Sequence, residues 1–84
     1  MKSTRDTVEH ELRSLLTDRF AVPAELITPQ AHLFDDLGLD SVDLMSAVAI
    51  LEERHDLTVS DTDLQEMLVV QGVIDRFTRL LERS

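Results

Sequence analysis

The chain has no cysteine, tryptophan or tyrosine, and only two glycines, two prolines and three phenylalanines among its 84 residues. Without cysteine there is no disulfide framework, no zinc ribbon and no thiol nucleophile on the chain itself. No apolar run approaches the roughly 18–20 residues that cross a bilayer. Met1-Lys2-Ser3-Thr4-Arg5-Asp6 leads into no apolar signal core, so the expected compartment is the cytoplasm. Basic residues are also scarce: eight Lys and Arg stand against seventeen Asp and Glu, a net charge of −9. Such a surface disfavours nucleic acid and anionic membranes and favours a basic protein partner. At this length the chain is read as a single domain over residues 1–84, a monomer, too small for a deep catalytic cleft. Its 43% apolar content is enough for a compact core.

The acids are not spread evenly. Ten of them lie between Asp35 and Glu66, where Arg54 is the one base. Such acids can simply form a solvated face that keeps the protein soluble, but their one-sided placement favours a docking surface. Apolar periodicity gives four helices. Val8, Leu12, Leu15 and Leu16 predict a first helix over about Arg5–Arg19, capped by Thr4 or Thr7. Pro23 and Pro29 interrupt helical continuation, and Phe20–Leu39 reads as a long ordered loop carrying apolar residues to the core. A second helix starts at Asp40 or Ser41 and ends near Arg54 or His55. Leu44, Ala47, Val48 and Leu51 form its core face, while Val42, Met45 and Ala49 form a separate apolar stripe beside Glu52 and Glu53. A short third helix covers about Thr62–Met67, and Val70, Val73, Ile74, Phe77, Leu80 and Leu81 define a last helix over about Val70–Glu82. The expected fold is all-α, a small four-helix bundle with a long loop after the first helix.

Ser41 falls at a predicted helix start, directly after that loop. The first amides of a helix have no internal acceptors, and the helix dipole places partial positive charge there, so a phosphate ester on this hydroxyl is favourably sited. Asp40 and Asp43 flank the serine without making it a nucleophile, because activation needs a positioned base. His10, His32 and His55 lie in separate segments with no spacing that brings them to Ser41, which argues against a serine hydrolase. A calcium loop starting at Asp36 fails as well: Ser41 stands at the glycine position and Ala47 at the terminal glutamate position. No metal site is expected.

The run Phe34-x-x-Leu37-Gly38-x-Asp40-Ser41-x-Asp43 resembles the attachment motif of acyl carrier proteins. The similarity continues through Leu51-Glu52-Glu53, Val59-x-Asp61 and Val70-Gln71, and so covers nearly the whole chain. The resemblance implies a non-enzymatic carrier of the acyl-carrier fold. In such a protein a phosphopantetheinyl transferase attaches 4′-phosphopantetheine from coenzyme A to Ser41, with Asp40 and Val42 beside the arm. Acyl groups then ride on the arm's thiol as thioesters. An acyl ligase or acyltransferase loads them, and a ketosynthase and other acyl-processing enzymes of fatty acid, polyketide or related biosynthesis act on them. By position, Asp36, Asp40, Asp43, Glu52 and Glu53 would meet basic patches on those partners, and Val42 and Met45 would add apolar contact.

Four positions depart from the family pattern. Ser46 stands where carriers of primary fatty acid synthesis usually have an acid, His55 where an aromatic is usual, Ser60 in place of a common proline, and Leu39 where a smaller residue is frequent. They point to a stand-alone carrier of a specialised pathway. Leu39-Asp40 fits the acyl type better than the peptidyl type. A stand-alone aminoacyl or peptidyl carrier is the alternative, and an acidic adaptor that is never modified is the rival of a different class.

Overall fold

The computed structural model describes residues 3–83. Four helices follow one another: α1 (Thr4–Asp18), α2 (Ser41–His55), α3 (Asp61–Gln65) and α4 (Val70–Arg83), with a single 3₁₀ turn at Ala24–Leu26 inside the long α1–α2 loop. No strand occurs among the described residues, and no described helix is long and apolar enough to cross a membrane. The Cα radius of gyration is 11.8 Å, which matches the about 12 Å expected of a compact chain of this length.

Each helix starts where its local chemistry allows. The α1 cap is Ser3, whose hydroxyl accepts from the Asp6 N–H at 3.1 Å, and neither Thr4 nor Thr7 takes that role. A serine one residue earlier is the better cap because its extended backbone aims Oγ at the third helical amide. At the other end, the Val22 N–H reaches back to the Leu16 carbonyl at 3.0 Å, a reversal that holds Ala21 at φ 55°. Helix α3 is shorter than its apolar pattern suggests and begins one residue earlier. Ser60 and Asp63 cap each other reciprocally and fix that start. The serine that replaces a common proline therefore provides a helix cap.

The core gathers Val8, Leu12, Leu15 and Leu16 from α1, Leu44, Ala47, Val48 and Leu51 from α2, and Val70, Val73, Ile74 and Phe77 from α4. The long loop adds Val22, Ile27, Ala31, Leu33, Leu37 and Leu39, so it is part of the core and not a linker. Leu80 and Leu81 are only partly buried, and Thr78 takes a buried position on α4 instead. Helix α1 packs along α4, with Arg5 paired to Asp75 across them. The first amides of α4 find acceptors in the loop: Val70 N–H donates to the Ala31 carbonyl and Gln71 N–H to that of Pro29, both at 3.0 Å. Leu33 N–H donates to the Leu68 carbonyl at 2.9 Å, completing an antiparallel bridge between His32 and Val69. Gly72 does more than weaken its helix. A Cβ there would overlap the Glu66 carbonyl oxygen, so only glycine lets the end of α3 sit this close to α4.

Asp63 ties α3 to α4 and to pH. Its carboxylate accepts from the Ser60 N–H at 3.1 Å and the Ser60 hydroxyl at 2.9 Å, and faces Arg76 at 3.3 Å. The Ser60 backbone and side-chain hydrogen bonds, followed by the charges of Arg76 and Arg83, hold its pKa below the ordinary 3.8. A lowered folded-state pKa means that the ionised form stabilises the fold. That contribution is complete above the unfolded-chain value and is lost as pH falls through the folded-state value. In urea titrations from about pH 5 down to about pH 2.5, Asp63→Asn is expected to remove this part of the acid sensitivity while lowering stability at neutral pH. An identical pH dependence in the variant would contradict the assignment.

Candidate functional site

The loop before α2 is built as a closed set of hydrogen bonds. His32 contributes three groups to it. Its carbonyl accepts from Asp36 N–H at 2.9 Å and Leu37 N–H at 3.1 Å. Its own N–H donates to Asp36 Oδ2 at 2.7 Å. Its ring Nδ1 accepts from the N–H groups of Phe34 and Asp35, each at 3.2 Å. Gly38 then turns the chain at φ 73°, a left-handed conformation that glycine adopts without the Cβ penalty. Leu39 N–H closes back on the Leu33 carbonyl at 3.0 Å. Leu33, Leu37 and Leu39 are buried, so the turn is pinned to the core on both sides of the glycine.

This anchored turn delivers Asp40 as the cap of α2. Asp40 Oδ1 accepts from Asp43 N–H at 2.8 Å, and Asp43 Oδ2 accepts from Asp40 N–H at 3.3 Å. The two acids thus cap the helix between them. Ser41, the first helical residue, is exposed, and its hydroxyl has no part in the capping. Val42 follows at 72% exposure and Met45 at 51%. Val42, Met45, Ser46, Ala49 and Glu53 recur at helical spacing and all are exposed, so they form one solvent face of α2 opposite its buried Leu44, Ala47, Val48 and Leu51.

The seven residues singled out for partner contact divide into two groups. Val42, Met45 and Glu53 are exposed on the solvent face of α2. Asp36, Asp40, Asp43 and Glu52 each serve the fold as well. The Glu52 carboxylate accepts from Val59 N–H at 2.7 Å and anchors the loop into α3, and it is only partly exposed. His55, in the place of the usual aromatic, has its Nε2 at 2.7 Å from Glu11 Oε2, and Arg54 approaches the same carboxylate at 3.6 Å. A polar cluster of Glu11, Arg54 and His55 therefore joins α1 to the end of α2. Among the described residues, no three His, Cys, Asp or Glu side chains gather into a metal-binding cluster. An open cleft of about 400 Å³ beside the 3₁₀ turn is lined by Glu25, Leu26, Thr28, Gln30, Ala31 and Asp36. Residue spacing gave no sign of the His32 cap, because a ring nitrogen that receives two main-chain amides has no sequence signature.

A small helical domain that holds an exposed serine at the start of its second helix, with an acidic flank, belongs to a known class. The family model for the phosphopantetheine attachment site matches residues 10–77. An acyl carrier protein of Nitratidesulfovibrio vulgaris strain DP4 is 35% identical over 69 residues, covering 82% of this chain and 91% of the relative. The acyl carrier protein of the Hildenborough strain gives the same figures, 35% over 69 residues. That of strain Miyazaki F is 35% identical over 68 residues, 81% of this chain and 90% of the relative. The chain belongs to the acyl carrier protein family. It is a carrier and not an enzyme, and its prosthetic group is a covalently attached 4′-phosphopantetheine.

Proposed function

We propose that Ser41 carries the 4′-phosphopantetheine and that residues 1–84 act as one carrier unit, presenting acyl intermediates to the enzymes of a specialised fatty acid, polyketide or related pathway. The observation that carries this reading is the exposed Ser41 hydroxyl at the first position of α2, left free because Asp40 and Asp43 cap the helix in its place. These residues suit the group. The hydroxyl is accessible for a phosphodiester, and the amides of Ser41 and Val42, ahead of the capped Asp43 amide, lie at the positive end of the helix. Val42 offers exposed apolar surface beside the arm. When bound, the group supplies a terminal thiol on which acyl chains ride as thioesters. The absence of cysteine makes that thiol easy to count. After incubation with coenzyme A and a broad-specificity phosphopantetheinyl transferase, thiol titration of the repurified chain is expected to find one thiol per chain, against none before. No thiol after a second transferase has been tried would contradict the reading.

Partners are expected on the Val42–Met45–Glu53 face. They comprise the transferase, an acyl ligase or acyltransferase, a ketosynthase and other acyl-processing enzymes. Basic patches on them would meet Glu53 together with Asp36, Asp40, Asp43 and Glu52, whose charges the fold also uses. Rim charges of this kind govern association rate and its salt dependence more than affinity. Truncating the exposed Met45 to Ala removes apolar contact worth about 1 kcal/mol or more. Met45→Ala is therefore expected to raise the transferase KM for the carrier roughly fivefold, with thermal stability unchanged. Glu53→Lys is expected to slow the same reaction most at low salt. Wild-type kinetics in both variants with the true partner enzymes would contradict this docking face. Glu52 is a poor choice for the test, since its carboxylate also holds the Val59 amide.

A further inference from the structure

We infer that His32 is a positioning residue for the loop that presents Ser41, and that it makes this presentation depend on pH. The inference rests on Ser41 being the attachment residue. The hydrogen bonds at the ring call for one form of the imidazole. Two main-chain N–H groups, those of Phe34 and Asp35, point at His32 Nδ1 from 3.2 Å each. An amide N–H only donates, so Nδ1 must offer its lone pair, which leaves the ring neutral with its proton on Nε2. A protonated imidazole has no acceptor to give, and both hydrogen bonds are lost together.

The surroundings supply a second arrangement. Asp35 Oδ2 lies 3.9 Å from the same Nδ1, and the Asp36 carboxylate is held on the His32 main-chain N–H at 2.7 Å. The paired segment on the opposite side presents Val69, which is uncharged, and the nearest ionisable residue in that segment's sequence is Glu66. Glu25 lines the cleft that Asp36 also lines. The Phe34 ring stands 5.7 Å from the imidazole, tilted by 58°. Asp35 is thus placed to pair with a protonated ring, while the two amides require the neutral form. The turn has two states separated by one proton. In one the ring caps Phe34 and Asp35. In the other the ring pairs with Asp35 and the two amides are released. Imidazoles ordinarily titrate near 6.5, inside the working range of many enzymes. The same turn runs through Gly38 and Leu39 into the Asp40 cap, so release at His32 loosens the base on which Ser41 stands.

The test uses the unmodified protein and two independent readouts. Amide hydrogen exchange at Phe34 and Asp35 is followed by NMR at about pH 7.5 and about pH 5.5. Protection is expected to fall about five- to tenfold at the lower pH after correction for intrinsic exchange. The ring Nδ1 resonance is expected to be that of an unprotonated nitrogen at the higher pH. His32→Asn supplies an acceptor that reaches the same i+2 and i+3 amides and does not titrate, so it should hold protection at both pH values. His32→Ala should lack it at both. His55→Gln, changed at the far end of α2, should keep the wild-type response. The second readout is the rate of phosphopantetheine transfer, expressed as the ratio of the two pH values. Wild type should lose several-fold more rate at the lower pH than His32→Asn, in which the transferase's own pH dependence is equally present. Constant protection in the wild type, wild-type protection in His32→Ala, or equal rate ratios for wild type and His32→Asn would each overturn the inference. If no pH supports transfer, the reading of Ser41 fails, while the exchange data alone decide the switch at His32.

Discussion

Ser41→Ala is expected to remain at its unmodified mass after incubation with coenzyme A and a phosphopantetheinyl transferase, under conditions that convert the wild type completely. The effect is all-or-none because the hydroxyl is the bond-forming atom and alanine supplies none. The same substitution should leave the fold intact. Ser41 is exposed, and the helix start is capped by the Asp40–Asp43 pair without it. Alanine is also the better helix former. Stability is therefore expected to stay within about 0.5 kcal/mol of wild type, with an unchanged far-ultraviolet circular dichroism spectrum. That pairing of total loss with an unperturbed fold separates a modification site from a residue that merely supports the helix. Modification persisting in the variant, or loss accompanied by unfolding, would contradict the assignment.

Phe77→Ala should come close to unfolding the protein. Phe77 has 0% exposure and is the largest fully buried side chain, on the helix that packs along α1. Removing a buried phenylalanine ring costs about 3–5 kcal/mol, from lost transfer energy and the cavity left behind. A chain of 84 residues has a total stability of roughly 4–13 kcal/mol. With a urea slope of about 1 kcal/mol/M, the unfolding midpoint should fall by roughly 3 M or more. Phe77→Leu, which keeps most of the volume, should cost less than about 1.5 kcal/mol. Circular dichroism is the suitable probe, because the chain has neither tryptophan nor tyrosine. A loss under about 1 kcal/mol in Phe77→Ala would mean that the core is not centred where the structure places it.

The helices were legible in the sequence because apolar spacing on a helix reports directly which side is buried. Val8, Leu12, Leu15 and Leu16 on α1 and Leu44, Ala47, Val48 and Leu51 on α2 are all buried as their spacing requires. The exposed Val42 and Met45 were visible for the same reason, as apolar residues off the core stripe. Helix ends were less legible, since several side chains compete for each cap. Backbone conformation, not residue type alone, chose Ser3 over Thr4 and Thr7. Tertiary roles were not legible. Nothing in the order of residues shows that Glu52 holds Val59, that His55 meets Glu11, or that His32 caps its own turn. Those contacts depend on the path of the long loop and on how α1 meets α2. The Gly72 requirement was hidden likewise, because it arises from the Glu66 carbonyl, which belongs to the preceding segment.

The most direct test of the central claim is fragmentation mass spectrometry of the wild-type chain after modification with coenzyme A and a phosphopantetheinyl transferase. One phosphopantetheine located on Ser41 is the expected result. The chain offers five other serines, at 3, 14, 46, 60 and 84, as internal controls. An arm on any of these, or no arm at all, would contradict the account.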